Sequence, residues 1–292
     1  MSRGVLCALA GFVLAVFSCP GPVVAGESGV ASPSPVDAAP HIDAALAAPR
    51  IDAALAPYIV GAKRSGYVYA LPETRAMQDD EIMNPGFAWV ERGRGLWTEV
   101  EGANGKSCAS CHGPVESMAG KAVSYPKWKA SMNRPVTVER QINFCRVAAM
   151  KAEPWEHESP QLLAMTTLIK QQSRGLPMSM ADDGPMREWI DRGKALYFAR
   201  RGQLDMSCKH CHDDHPGEKL RAETLSQAHV NGFPTYRLGW QGLGSLHRRL
   251  ETCYEQMRAE TYPLGSDEYV ALEIFLTDRG RGLPIETPSV RR

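Results

Sequence analysis

The chain has 292 residues, with 33 lysines and arginines against 33 aspartates and glutamates. A formal net charge of zero gives no electrostatic reason to expect nucleic acid or an anionic membrane as a partner. Hydrophobic residues make up 43% and charged residues 23%, which excludes wholesale disorder and allows one large or two ordinary domains.

The N-terminus has the pattern of a secretory signal. Arg3 precedes an apolar stretch over residues 5–17, and small residues lead to Ala25. The stretch is shorter than the about 20 residues that a membrane-spanning helix needs. We therefore predict a signal peptide over residues 1–25 and an exported chain without a membrane span. Lipidation at Cys19 is the weaker alternative, because the residues before it fit that pattern poorly.

Residues 26–77 are predicted to precede the folded domains. Up to about Pro57 the chain is rich in Ala and Pro and repeats the pattern Ile-Asp-Ala-Ala-Leu-Ala, which is typical of a flexible tether. Residues 58–77 are interpreted as a transition segment.

Two C-x-x-C-H motifs occupy residues 108–112 and 208–212. This spacing offers two thiols to the two vinyl groups of one haem and places the adjoining histidine to bind its iron. The sequence therefore predicts two covalently bound haem c groups, with zinc or dithiol chemistry as the weaker alternative. The predicted attachment residues are Cys108 and Cys111 for the first haem and Cys208 and Cys211 for the second, with His112 and His212 as iron ligands.

The motifs belong to an internal duplication. Residues 89–97 align with 189–197 at an offset of 100, the same offset that relates the two motifs. Arg-Gly-Leu-Pro at 174–177 recurs at 281–284, an offset of 107. The chain therefore contains two copies of one module, with a boundary near residues 180–184.

Helical periodicity dominates both copies. Apolar residues at helical spacing mark a face over 186–197 and another over 246–257. A further helix is predicted from Ser266 to Gly280, with a counterpart over about 160–170, and no convincing strand alternation competes. The prediction is an all-α fold of two tandem haem domains, 78–180 and 181–292, with an N-terminal extension.

One lone cysteine follows each motif, Cys145 in the first copy and Cys253 in the second, at an offset of 108. A disulfide between them is the simplest expectation for an exported protein. The alternative that the duplication favours is that each cysteine is the distal ligand of its own haem. Methionine and histidine ligands also stay open. The candidates are Met118, Met132, Met150, Met178, Met180, Met257, His41, His157, His210, His215, His229 and His247.

Two C-x-x-C-H motifs, each followed by an unpaired cysteine, resemble the SoxA family, from about residue 80 onward. The resemblance implies tandem cytochrome c-like domains, a periplasmic location and a SoxX-like monohaem partner subunit. It also implies L-cysteine S-thiosulfotransferase activity, in which thiosulfate is coupled oxidatively to a cysteine of a SoxYZ-like carrier. Two electrons then pass to a cytochrome c acceptor.

The same resemblance implies roles for particular residues. His112 and Cys145 would bind the first haem iron, and His212 and Cys253 the second. Cys253 would be the active-site cysteine, carried as a persulfide, and Arg249 would bind substrate. Arg249 precedes Cys253 by four residues and so shares its helix face, although a solvated helix face is the ordinary interpretation of Arg248 and Arg249.

Two other functional classes compete with this hypothesis. A dihaem electron-transfer cytochrome without substrate chemistry predicts methionine or bis-histidine ligation and needs neither lone cysteine. A dihaem peroxidase needs an open distal position on one haem, which cysteine ligation at both sites would close.

The motif assignment predicts a simple attachment pattern. Replacing Cys108 and Cys111 by alanine should remove the first haem only, and replacing Cys208 and Cys211 should remove the second only. Haem absorbance per chain after alkaline pyridine treatment, with peptide mapping, measures both. Undiminished haem content in either double variant would contradict the assignment.

Overall fold

The computed structural model describes residues 52–292. The predicted signal peptide, Cys19 and most of the predicted tether lie outside these residues. Within the described range, no helix is long and apolar enough to cross a bilayer.

The described chain is mostly helical. Its α-helices are α1 Pro72–Asp79, α2 Phe87–Thr98, α3 Cys108–His112, α4 Val138–Cys145, α5 Pro160–Gln171, α6 Met186–Phe198, α7 Cys208–His212, α8 Leu246–Gln256 and α9 Asp267–Arg279. A π-helical segment, Arg146–Met150, continues α4. Short 3-10 helices occupy Ala53–Tyr58, Val115–Met118, Lys121–Ser124, Ala130–Met132 and Leu238–Trp240.

Short strands accompany the helices. They are β1 Ile59–Val60, β2 Lys63–Arg64, β3 Lys127–Lys129, β4 Arg134–Val136, β5 Lys219–Leu220, β6 Glu223–Thr224, β7 Thr235–Arg237, β8 Gly242–Gly244 and β9 Ser289–Arg291. Consecutive strands pair as antiparallel hairpins, and β9 adds to β7 in parallel. Strands of two or three residues are too short to show alternation in a sequence, which is why the sequence pattern did not indicate them.

The duplication is visible in the order of elements. The order α2, α3, β3–β4, α4, α5 in the first half repeats as α6, α7, β7–β8, α8, α9 in the second. The hairpins β3–β4 and β7–β8, and the helices α4 and α8 after them, are related by an offset of 108 residues, and the starts of α5 and α9 by an offset of 107. The mainly helical fold and its two repeated halves are as the sequence predicted.

Side-chain caps at equivalent positions explain where the later helices begin. Thr137 and Ser245 accept hydrogen bonds from backbone N–H groups in the first turns of α4 and α8. Ser159 and Ser266 do the same for α5 and α9. An N-cap oxygen satisfies a backbone donor that lacks a helical partner, which stabilises the helix start. The predicted start at Ser266 and end at Gly280 are confirmed.

Each half has its own hydrophobic core between its first and last long helices. In the first half, α2 packs on α5, and in the second, α6 packs on α9. The crossing depends on a glycine: a β-carbon on Gly93 would lie 2.7 Å from the Ala164 carbonyl oxygen, and one on Gly193 would lie 2.0 Å from that of Ala271. Glycine therefore allows the two helices of each pair to touch through their backbones.

The two Arg-Gly-Leu-Pro segments join the halves by pairing with each other. Gly175 N–H donates to the Ile285 carbonyl at 2.8 Å, and Met178 N–H donates to the Leu283 carbonyl at 3.0 Å. The reverse bond from Ile285 N–H to the Leu176 carbonyl is 2.9 Å long. Equivalent segments thus meet across an approximate twofold axis, which gives the repeated motif a structural role.

Residues 58–77, interpreted from sequence as a transition segment, pack against the second half. They form β1, β2 and most of α1, which contacts β9. A buried carboxylate holds them: Glu286 accepts hydrogen bonds from Ser65, Gln78, Asn231 and Arg291. A buried carboxylate with several donors is satisfied only while all these segments stay together.

The close crossing of α6 and α9 generates a stability prediction. Gly193→Ala should destabilise the protein by about 1–3 kcal/mol, because the added methyl group collides with the Ala271 backbone. Guanidinium unfolding of the haem-loaded protein measures this. Gly95→Ala is the matched control, since that exposed helical glycine has no atom within 4 Å of an added β-carbon. It should be neutral or stabilising by up to about 1 kcal/mol, and equal effects at both positions would refute the packing argument.

Candidate functional site

Both C-x-x-C-H motifs form single-turn helices that a preceding serine caps. At α3, Ser107 and Ser110 form a reciprocal capping box. At α7 the partner of Ser207 is His210, whose Nδ1 accepts from the Ser207 N–H at 3.1 Å. The helical turn places the two cysteines of each motif on neighbouring positions of one face. His210 is thereby committed to a cap.

The histidine of the second motif is held in a defined tautomer. His212 Nδ1 lies 2.7 Å from the Ser226 carbonyl oxygen, which can only accept a hydrogen bond. Nδ1 therefore carries the proton, and the lone pair is on Nε2, where a metal ligand needs it. The next residue, Asp213, accepts from the Tyr197 hydroxyl at 2.7 Å and from Arg279 at 2.6 Å, which fixes the end of the turn.

The first motif opens onto a cavity of about 410 Å³. The residues predicted for the first haem line it together: Cys108, Cys111, His112 and Cys145. The other lining is mainly apolar, with Val138, Ile142, Met165 and Ile169 among its side chains. Met118 and Met150 also border this cavity, so two methionines considered as alternative ligands lie nearby.

The second motif opens onto a cavity of about 170 Å³ lined by His212, Arg249 and Cys253. Burial and, after it, negative charge on Cys253 raise the pKa of the Cys208 and Cys211 thiols, which indicates that these two thiols lie near the Cys253 sulfur. The structure thus brings every residue predicted for the second site together. His229 also lines this cavity, whereas His157 and His247 stack on each other, with ring centroids 5.7 Å apart.

All six cysteines in the described part of the chain are free thiols. Cys145 and Cys253 each lie in the cavity of their own half. The alternative of a disulfide between these two cysteines is therefore wrong, because the approximate twofold axis places equivalent residues in separate sites.

The donor sets of both cavities fit haem c. In the first half, two thiols on one helical turn, the histidine beside them and a third thiol from α4 line one cavity. In the second half, His212 and Cys253 line the cavity, and Cys208 and Cys211 lie on the same helical turn as His212. In the second half the tautomer of His212 leaves Nε2 available. These are the attachment and ligand atoms that a covalently bound haem requires.

The surroundings of Cys253 favour its anion. Burial raises the pKa of this thiol, whereas the positive charges of Arg249 and Arg237 lower it. The motif thiol Cys208 differs, since burial and the Cys253 charge raise its pKa to about 12. The chain thus stabilises negative charge on the sulfur that is not used for haem attachment.

The two halves differ at the position four residues before the lone cysteine. In the first half this is Gln141, whose amide donates to Cys145 Sγ at 3.1 Å and accepts from Lys129 at 3.1 Å. In the second half it is Arg249. Among the ion pairs of the described residues none involves Arg249, whereas Arg248 lies 4.0 Å from Glu158 and stacks on Trp240. Only the second site presents an uncommitted guanidinium beside its cysteine.

Two parts of the second site were missed from sequence. Arg237, on β7, lines the cavity and lowers the pKa of Cys253. Residues 66–74 of the N-terminal segment form another part of the wall. Arg237 had a detectable signal, because the offset of 108 places it opposite Lys129 and so preserves a basic residue; the N-terminal segment has no counterpart in the repeat.

Comparisons with known proteins agree with this architecture. The family model described as SoxA/TsdA, cytochrome c domain, matches residues 92–178 and 192–285. The L-cysteine S-thiosulfotransferase subunit SoxA of Pseudaminobacter salicylatoxidans is 46% identical over 78% of this chain and 80% of its own length. That of Rhodovulum sulfidophilum is 42% identical over 78% of this chain and 80% of its own.

A solved structure is similar over nearly the same range. The crystal structure of SoxXA from P. pantotrophus matches with a TM-score of 0.77 and 40% identity, covering 79% of this chain and 87% of the other.

The helical fold and the motif sites define a c-type cytochrome with covalently bound haem c. Within that class, the sequence identity of 46% and 42% to the two SoxA subunits, over 78% of this chain, shows the family. The chain belongs to the SoxA family.

Proposed function

We propose that this chain is the catalytic subunit of an L-cysteine S-thiosulfotransferase. Thiosulfate is joined to a cysteine thiol of a carrier protein: R–SH + S₂O₃²⁻ gives R–S–S–SO₃⁻, one proton and two electrons. One observation carries the proposal, namely that the guanidinium of Arg249, which forms no ion pair among the described residues, lines the second cavity together with Cys253. The relatives named above carry this activity in their names.

Arg249 solves the main electrostatic difficulty of the reaction. Thiosulfate is a dianion and the Cys253 sulfur carries negative charge, so the two repel each other. A guanidinium can hold a sulfonate through two parallel N–H bonds while also facing the sulfur. Because Arg249 and Cys253 are four residues apart on α8, they lie on one helix face at the cavity. The bound sulfonate would thereby direct the terminal sulfur of thiosulfate toward Cys253.

We assign Cys253 as the catalytic residue, which would be available as a ligand of the second haem iron. Its thiolate would bond the terminal sulfur of thiosulfate with loss of two electrons, giving Cys253–S–S–SO₃⁻. The carrier thiol would then take the S–SO₃ group, which returns Cys253 as a thiolate and releases one proton. Two haem c groups complete the proposal: the first on Cys108 and Cys111 with His112 and Cys145, the second on Cys208 and Cys211 with His212 and Cys253. Haem at the second site supplies an acceptor for the electrons that the coupling releases. In the first half Gln141 takes the place of Arg249, Lys129 of that cavity donates to Gln141, and Arg146 pairs with Glu101, so we assign substrate binding to the second site.

The remaining features of the proposal come from the family. The relative of known structure is a SoxXA complex, and we infer a SoxX-like monohaem partner for this chain. A SoxYZ-like carrier would deliver the thiol, and a cytochrome c would accept the two electrons. We place the protein in the periplasm, exported by the signal over residues 1–25, with haem domains over 78–180 and 181–292.

Cys253→Met should abolish coupling while leaving haem attached, because the attachment thiols and His212 are unchanged. The measurement is thiosulfate-dependent reduction of cytochrome c in the presence of carrier, together with haem content. Low-temperature EPR of the oxidised protein should lose the histidine–thiolate signal of the second haem.

The matched variant is Cys145→Met, which makes the same change in the other half. It should alter the EPR signal of the first haem and retain most of the coupling activity. Normal turnover in Cys253→Met, or equal loss in both variants, would reject Cys253 as the reactive cysteine.

Arg249→Gln gives the second site the residue type that the first site has at 141. The KM for thiosulfate should rise by about tenfold or more, since a charge-assisted hydrogen bond to the substrate is lost. Arg248→Gln is the control on the same helix and should change KM little, because Arg248 stacks on Trp240. A larger effect at 248 than at 249 would reverse the assignment.

A further inference from the structure

The second cavity contains a buried arginine without a role in the proposal above. Arg237 is 7% exposed and lines the same cavity as Arg249 and Cys253. One of its terminal nitrogens lies 2.8 Å from Glu223 Oε1, on the short hairpin β5–β6. The guanidinium also lies over the Trp240 ring, 5.3 Å from its centroid. Its position is therefore fixed on two sides.

The equivalent residues of the first half show what is unusual here. There Lys129 donates to the Oε1 of Gln141, so the two positions bond each other directly. In the second half both positions are arginine, and two guanidinium groups cannot bond each other because both only donate. Burial, first, and the charge of Arg249 lower the pKa of Arg237, as expected for two neighbouring cations. Such a pair requires an acceptor.

We propose that Arg237 is a second thiosulfate-binding residue, and that Glu223 is an internal counter-ion which thiosulfate displaces from it. This inference rests on the proposed function. Once Glu223 has moved into water, both guanidinium groups can donate hydrogen bonds to the oxygens of one bound thiosulfate. The exchange would favour a dianion over a monoanion such as chloride, because the dianion presents the larger opposite charge to the two cations.

The placement of Glu223 suits an exchangeable partner. Its side chain is 39% exposed, while that of Arg237 is 9% exposed. The carboxylate can therefore move into water, where it is well solvated, whereas Arg237 stays in the cavity wall. A part-exposed ion pair is weak, so a dianion held by two arginines can compete with it.

The inference is tested by measuring the KM for thiosulfate in the steady-state coupling reaction with saturating carrier. Two substitutions are expected to change this KM in opposite directions. Arg237→Gln should raise the KM for thiosulfate by about tenfold, with a smaller change in kcat. Glu223→Gln should lower it by about two- to fivefold. Calorimetric titration of the haem-loaded complex with thiosulfate, without carrier, should show the same directions in Kd.

Two control substitutions each remove one positive or one negative charge outside the cavity. Arg200→Gln removes an exposed arginine paired with Asp205, and Glu218→Gln removes an acidic residue from the segment leading into β5. Neither should change KM. If Arg237 instead holds a carboxylate of a haem propionate, Arg237→Gln will shift the midpoint potential of the second haem and leave KM and Kd unchanged.

That outcome would overturn the inference, as would an unchanged or raised KM in Glu223→Gln. The latter variant keeps the test open if Arg237→Gln fails to fold, since Glu223 is on the surface. Failure of the unmodified complex to couple thiosulfate would instead refute the proposed function. If Arg249→Gln loses activity and Arg237→Gln does not, the proposed function is supported and only the role of Arg237 in binding thiosulfate is rejected.

Discussion

In the function we propose, the second half of the chain must hold a dianion beside an anionic sulfur. At an effective dielectric of about 20, two unit charges about 4 Å apart interact by about 4 kcal/mol, so the repulsion is large unless cations lie between them. Arg249 and Arg237 lower the pKa of Cys253 against the opposing effect of burial. In the function we propose, the same two charges that stabilise the thiolate would also attract the substrate.

The duplication explains how such a site can arise from a plain haem-binding module. Both halves keep the helix pair, the capped motif and the lone cysteine, and the paired Arg-Gly-Leu-Pro segments hold them in an approximate twofold relation. The difference lies in polar residues around an unchanged frame. In the first half Lys129 donates a hydrogen bond to Gln141, so the two side chains satisfy each other. In the second half Arg249 and Arg237 cannot bond each other, and their N–H donors face the cavity.

Much of this could be predicted from the sequence because it is encoded by spacing. The motif residues, the lone cysteines and the starts of the late helices follow from local patterns, and the repeat offset linked Cys145 with Cys253. Two features depend instead on how distant segments meet. They are the placement of Cys145 and Cys253 in separate cavities, without a disulfide between them, and the position of Arg237. The short strands and the packing of α1 against β9 carry no local pattern, since they are stabilised by contacts such as those of Glu286 with four other side chains.

The cluster around Glu286 makes the second cavity depend on the end of the chain. It joins residues near 65 and 78 to residues near 231 and 291, so one wall of that cavity is assembled from segments more than two hundred residues apart. The hydrophobic core of the first half includes none of these terminal residues, whereas Arg291 and Arg292 line the second cavity. A chain that lacks β9 would therefore keep the core beside the first motif and have an incomplete wall around Cys253, the residue to which we assign the coupling.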